Sequence, residues 1–255
     1  MIGSTPYPEP ARSEPPSEAN ASLPNAHLTT AAATNAAATN VSATKASTLE
    51  WSTTGVGPWV GAWPDDEVFD PQLLARGDTR NVIDRYRYWR MDAIVADLDQ
   101  RRHPFHVAIE NWQHDMNIGS IVRSANAFGA DTVHIIGRRR WNKRGAMVTD
   151  RYQHVRYHAS VSDFAGWAAD AGVPIIAIDN VPGSVPIETS ALPRTCVLLF
   201  GQEGPGLSAP ALELAMSVME ITQYGSTRSI NASAAAAVAM HAWISQHVFS
   251  RHPPH

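Results

Sequence analysis

In 255 residues the chain has a single cysteine, Cys196. One thiol rules out an internal disulfide framework and a cysteine-cluster zinc site. No apolar run approaches the roughly 20 residues of a membrane-spanning helix. The N-terminus lacks a basic start followed by an apolar stretch, which argues against a secretory signal. The expectation is a soluble cytoplasmic protein with no membrane partner. Several phosphate and nucleophile signatures are also missing. There is no GxxxxGK[ST] loop, no GxGxxG with an acid placed to hold a ribose, and no serine in a GxSxG turn. Nucleoside triphosphate, dinucleotide and Ser-His-Asp hydrolase chemistry each lose their usual carrier. The histidines His247, His252 and His255 near the C-terminus read as solvated, and no metal site is expected.

The excess of one charge sign over the other is small too, with 20 Lys and Arg against 24 Asp and Glu. The net charge of −4 argues weakly against a polyanionic partner, but its distribution argues the other way. Arg138, Arg139, Arg140, Lys143, Arg144, Arg151 and Arg156 crowd the segment between Gly137 and His158 against one acid, Asp150, with Trp141, Tyr152 and Tyr157 interleaved. Basic groups neutralise phosphates and aromatic rings stack on unpaired bases, so this stretch reads as an RNA-binding loop. A second cluster, Arg85-Tyr-Arg-Tyr-Trp-Arg90, suits a packed helix as well as an RNA contact. The first 50 residues have one aromatic, Tyr7, and 35 of them are Ala, Thr, Ser, Pro or Asn. Such a segment buries too little apolar surface to offset its ordering entropy, so 1–50 reads as disordered.

Residues 51–103 read as a helical N-terminal extension. From Asp78 through Asp99, Val82, Ile83, Tyr86, Met91, Ile94, Val95 and Leu98 recur at roughly helical spacing. From His106 onward strands and helices alternate. Strands are predicted at 106–109, 132–136, 174–178, 197–200 and 218–221. Helices are predicted at 119–128, from a Ser162 cap to Ala171 with Gly172 as its stop, from Ser208 or Pro210 to Met216, and over 233–248. Short continuous apolar runs mark buried parallel strands, and Cys196 falls in one of them. The pattern predicts one α/β domain over 104–250 with a parallel sheet flanked by helices.

Three loops in this alternation share a character. Each follows a strand-like run, leads toward a helix, and carries glycines with uncharged polar groups and one Arg or Glu. They read Asn117-Ile-Gly119-Ser-Ile-Val-Arg123-Ser-Ala125-Asn-Ala-Phe128-Gly129, Gly201-Gln-Glu203-Gly-Pro-Gly206-Leu-Ser208, and Ile221-Thr-Gln-Tyr-Gly225 followed by Ser229-Ile-Asn231-Ala-Ser233. An α/β domain builds ligand sites from such loops at one end of its sheet. Backbone amides, amide side chains, one carboxylate and one guanidinium suit a ligand with an adenosine, a charged sulfonium and an amino-acid tail.

These residues resemble the SpoU/TrmH family of SPOUT RNA ribose methyltransferases. Its patterns are N-x-G-x-x-x-R-x-A-x-x-F-G, G-x-E-x-x-G-L/I-S, and I-P-M-x-G followed by S-L-N-V-S. The chain departs from the third at Thr222 and Gln223, in place of Pro-Met, and at Ile230. The resemblance, over about 104–248, implies a C-terminal deep trefoil knot, S-adenosyl-L-methionine bound largely through backbone groups, and a homodimer acting on tRNA or rRNA. By motif position the cofactor residues would be Ile178 (or Asp179), Gly201, Ile221, Ser229 and Ile230. The catalytic set would be Arg123, Asn117, Glu203, Ser229 and Asn231. Asn117 would orient Arg123, Glu203 would do the same or cap turn amides, and Ser229 with Asn231 would hold substrate or a partner loop. The plainer reading makes Asn117 and Asn231 turn caps and Arg123 a surface ion-pair residue. The small residues of the last helix suit close approach of a second helix, from a partner or within the monomer. Alternatives to ribose methylation are a SPOUT enzyme acting on a base atom and a non-catalytic RNA-binding dimer.

Overall fold

The computed structural model describes residues 55–113 and 116–249. The stretch 1–50, His252 and His255 lie outside them. Seven strands, β1 (Phe105–Asn111), β2 (Thr132–Gly137), β3 (His154–His158), β4 (Ile175–Ile178), β5 (Val185–Pro186), β6 (Cys196–Phe200) and β7 (Ser217–Glu220), form one sheet. Its order is β3-β2-β1-β6-β4-β7-β5, and every pairing is parallel.

Covered on both faces, the central strands are largely apolar, as the continuous runs predict. One face carries Phe105, Val107, Ile109, Val133, Ile135, Leu198 and Phe200. Against it pack Ile118, Ile121, Val122 and Ala125 of α3 (Ile118–Ala127) and Ala236, Ala239, Met240 and Trp243 of α6 (Ala232–His247). The small residues of α6 therefore serve close packing inside the monomer. The other face carries Ala108, Ile136, Ala177, Val197 and Leu199 under Phe164 and Ala168 of α4 (Val161–Ala171) and Ala211 of α5 (Ala209–Glu213). Cys196 is fully buried in β6, and burial pushes its thiol up to about 12.

That second face also holds a row of histidines across three adjacent strands. His134 Nδ1 lies 2.9 Å from His158 Nε2, and His134 Nε2 lies 3.4 Å from His106 Nδ1. Trp167 and Phe164 of α4 cover the His134 ring. Burial, with smaller contributions from His106, His158 and Arg156, lowers His134 to about 2, so its ring is neutral at physiological pH.

Several sequence expectations need correction. Helix α4 is capped by Ser160, whose hydroxyl accepts from Asp163 N at 3.0 Å, and not by Ser162. Helix α5 stops at Glu213, short of Met216. The helical spacing over 78–99 becomes an α-helix only at α2 (Met91–Asp99); another, α1 (Pro71–Arg76), precedes it. Between them Asp78 is fully buried, and its carboxylate accepts from Arg80 at 2.7 and 2.8 Å and from Tyr88 N at 2.9 Å. A carboxylate that gathers these groups sets an irregular path that side-chain periodicity does not encode.

The basic segment is not one loop. It contains two 3₁₀ turns (Lys143–Ala146 and Thr149–Arg151) and the edge strand β3. Trp141 and Tyr152 are buried and unavailable for base stacking; Trp141 Nε1 donates to the Tyr157 hydroxyl at 3.3 Å, and Tyr152 packs on Tyr86 and Ile94. In the cluster at Arg85–Arg90, Arg85 and Arg101 pair with Asp97, and Tyr86 donates to Asp97 at 2.6 Å. No helix of the described residues is long and apolar enough to cross a membrane, and no group of three or more of their His, Cys, Asp and Glu residues is gathered as a metal site.

Candidate cofactor cavity and active site

The loops that follow β4, β6 and β7 meet at one end of the sheet and enclose a cavity of about 430 Å³. Its apolar walls come from Ile178, Phe200, Leu207, Ile221 and Ile230, and polar groups from Asp179, Glu203, Gln223, Ser229 and Asn231 also face it. The volume and the mix of apolar walls with a few polar groups are those of a small-molecule site. All five residues assigned to the cofactor by sequence position (Ile178, Gly201, Ile221, Ser229 and Ile230) line it.

The floor of the cavity depends on a glycine. A Cβ at Gly201 would collide with the Gly206 carbonyl carbon and the Leu207 nitrogen, so the turn over 201–207 can fold back on itself only without a side chain there. Gln202 and Gly206 close that turn with reciprocal backbone bonds of 3.1 Å. Asp179 braces it from β4, its Oδ2 accepting from Leu207 N at 2.9 Å. Glu110, fully buried at the end of β1, braces it from the other side, accepting from Ser208 N and Oγ, each at 2.7 Å, and from Trp112 Nε1 at 2.9 Å. Thr222 is tied to Glu188 through both its N–H and its hydroxyl, each at 3.0 Å; a proline at this position would offer neither donor.

At the rim one carboxylate joins all three motifs. Asn117 Nδ2 donates to Glu203 Oε2, and Asn231 Nδ2 donates to both Glu203 oxygens, at 3.2 and 3.4 Å, and to Asn117 Oδ1 at 3.0 Å. Asn231 has a second duty as the cap of α6, its Oδ1 accepting from Ser233 N at 3.0 Å and Ala234 N at 3.3 Å. Asn117 stands at the N-cap position of α3 but makes no capping bond with its side chain. Glu203 thus collects side-chain amides rather than turn amides.

Arg123 departs from expectation. It lies in the second turn of α3 and is exposed, and neither it nor Asn117 lines the cavity. Among the described residues no hydrogen bond or ion pair holds its guanidinium. What fixes Arg123 is its helix, seated by a close backbone approach: a Cβ on Gly119 would lie 2.8 Å from both Asn142 O and Ala146 N. The first turn of α3 is therefore packed on the basic segment.

Arg138, Arg139, Arg140, Lys143, Arg144 and Arg151 carry the positive charge of that segment. Lys143 pairs with Asp150 at 2.8 Å, and Arg139 lies over the Tyr157 ring, 5.0 Å from its centroid. All six are exposed, and the Lys143 side chain is 64% exposed despite its ion pair. The arginine run is held from beneath by Asn111, buried at the end of β1, whose Nδ2 donates to Arg138 O at 2.6 Å and Arg140 O at 3.0 Å. Sequence reasoning overlooked Glu110 and Asn111. Their signal was a pair of polar residues closing an otherwise apolar buried strand.

Comparison with known proteins agrees with this layout. The model of the SpoU rRNA methylase family matches residues 104–241. The chain is 27% identical over 153 residues to the tRNA (guanosine(18)-2'-O)-methyltransferase of Escherichia coli, covering 58% of this chain and 67% of that enzyme. It is 31% identical over 163 residues to an uncharacterized tRNA/rRNA methyltransferase of Mycolicibacterium vanbaalenii, covering 61% of this chain and 51% of the relative. Thus it spans only about half the length of that mycobacterial protein. Among solved structures, the SpoU methyltransferase AviRb from Streptomyces viridochromogenes in complex with AdoMet aligns with a TM-score of 0.51 at 27% identity, over 60% of this chain and 61% of that one. The alternating elements, the three joined motifs and the family match lead to one conclusion: the chain belongs to the SpoU rRNA methylase family.

Proposed function

We propose that this protein is an S-adenosyl-L-methionine-dependent methyltransferase that methylates a ribose 2′-hydroxyl of tRNA or rRNA in the cytoplasm. The observation that carries the reading is the Asn117–Glu203–Asn231 node, which joins three sequence-distant motifs at the rim of the cavity. Family membership and an AdoMet-bound relative support it.

The cavity fits the cofactor's parts. Apolar walls suit the base, backbone groups of the 201–207 turn suit the ribose, and the Asp179 and Glu203 carboxylates suit the ammonium of the zwitterionic amino-acid tail. Bound S-adenosylmethionine would supply a methyl group already activated on sulfonium. The protein then has mainly to align the hydroxyl with it, and alignment alone contributes a large share of barrier lowering. The node fixes the rim while Arg123, exposed on α3 in the same motif as Asn117, presents a cation to the substrate phosphate and to charge developing on the ribose oxygen. A guanidinium stays protonated far above neutral pH, so Arg123 positions and stabilises, and the hydroxyl proton leaves to water or a neighbouring phosphate. Arg138, Arg139, Arg140, Lys143, Arg144 and Arg151 hold the RNA backbone.

Three further features belong to this reading. The C-terminal segment after β6 passes through a loop as a trefoil knot; the adjacency of β6, β4 and β7, whose loops share the cavity, supports it. Two copies pair, supported by the exposed Val238 on the outer side of α6. The domain runs over 104–250, with 51–103 as its extension. The test is transfer of labelled methyl groups to unmodified total RNA followed by nucleoside analysis. A 2′-O-methylnucleoside is expected, and a methylated base or no transfer would overturn the ribose assignment.

A further inference from the structure

Where the family pattern has I-P-M, the chain has Ile221-Thr-Gln223. Gln223 lines the cavity, yet its Oε1 is closed off from solvent with no hydrogen-bond partner, and its amide makes no other hydrogen bond among the described residues. Gln223 is half-buried, and an amide oxygen shut off from water without a partner costs desolvation free energy that nothing in the free protein returns. The residue before it is anchored, because Glu188 holds Thr222 by its N–H and its hydroxyl. The amide is thus carried on a fixed stretch of backbone into the wall of a ligand site.

A carboxamide presents an acceptor beside a donor. Of the parts of the methyl donor, the adenine edge offers the complement, an exocyclic amine beside a ring-nitrogen acceptor; glutamine and asparagine read adenine this way in nucleic acids. Because an amide can present either end, the match does not depend on which way Gln223 is drawn. The ammonium of the zwitterionic tail is better matched by Asp179 and Glu203, the carboxylates of the same cavity. We propose that Gln223 reads the adenine edge of the methyl donor with its side chain, adding to a site built mostly of backbone groups a contact that selects for the 6-amine. The proposal rests on the cofactor assignment above.

The test is calorimetric binding of S-adenosylhomocysteine and of its analogue lacking the 6-amine (hydrogen in its place) to the wild-type chain, Gln223→Met and Gln223→Glu. The wild type should bind the adenine ligand more tightly. Gln223→Met should weaken that ligand about ten-fold while changing the analogue much less, so that the preference ratio falls by about that factor. Gln223→Glu, which keeps an acceptor and loses the donor, should fall between and serves if the Met variant does not fold, as judged by its melting temperature. A loop merely loosened by substitution would weaken both ligands alike, and a ratio unchanged in both variants would overturn the proposal. Binding of neither ligand to the wild type would overturn the cofactor assignment itself.

Discussion

The buried histidine row makes acid sensitivity calculable. His134 is fully buried and lowered from 6.5 to about 2, while an unfolded chain would titrate it near its ordinary value. Below pH 6.5 the unfolded state takes up a proton that the folded state refuses, so stability falls with pH until the folded value is reached. One such group costs up to about 1.4 kcal/mol per pH unit, or about 2.7 kcal/mol between pH 7.5 and 4.5. That is a large part of a typical stability of about 5–15 kcal/mol. Protonation is opposed from every side: Trp167 with Phe164 excludes water, His106 and His158 flank His134 in the sheet, and Arg156 adds positive charge. The carboxylates nearest the row, Asp131 beside His106 and Asp163 beside His158, act on those two rings in the charged form's favour. Urea unfolding followed by tryptophan fluorescence at pH steps from 7.5 to 4.5 measures the effect. His134→Gln keeps a neutral hydrogen-bonding side chain and removes the titration, so its stability should fall about 2.7 kcal/mol less than wild type over that range. Parallel curves for the two proteins would refute the argument.

Other expectations follow from the site. Arg123→Ala should abolish methyl transfer while S-adenosylhomocysteine affinity stays within a few-fold, because Arg123 does not line the cavity; calorimetry with a transfer assay separates the two. Replacing Arg138, Arg139 and Arg140 together by Ala should weaken RNA binding and flatten its log–log salt dependence by up to about 0.9 for each phosphate no longer neutralised, which filter binding at several salt concentrations would detect. Gly201→Ala should open the 201–207 turn and reduce cofactor affinity more than about ten-fold, since the added Cβ meets rigid backbone; an affinity equal to wild type would show that the turn can yield.

What was legible in the sequence follows physical lines. Buried parallel strands announce themselves as continuous apolar runs, which is why β1, β2, β4, β6 and β7 could be placed from sequence. The edge strand β3, with His154, Arg156 and His158 among its five residues, has no such run and was hidden inside a basic segment; β5 is two residues long and contains Pro186. Local chemistry was legible where the partner is near in sequence, and Ser160 with Asp163 three residues on could have given the α4 cap. Long-range pairing was not. That Trp141 and Tyr152 are core, that Asn111 props up an arginine run 27 to 29 residues away, and that Glu203 gathers two asparagines depend on where the sheet carries each loop. The cavity residues were found because a resemblance supplied that long-range information.

Cys196 gives the chain an experimental property. A thiol pushed to about 12 in the centre of a sheet has almost no thiolate at neutral pH, so alkylating reagents should pass over the native protein. A cysteine introduced at an exposed position such as Asp170 on α4 would then label alone, giving a clean attachment point for spectroscopic probes. Conversely, slow modification of Cys196 in the unaltered chain would report the openings that bring its sulfur to water.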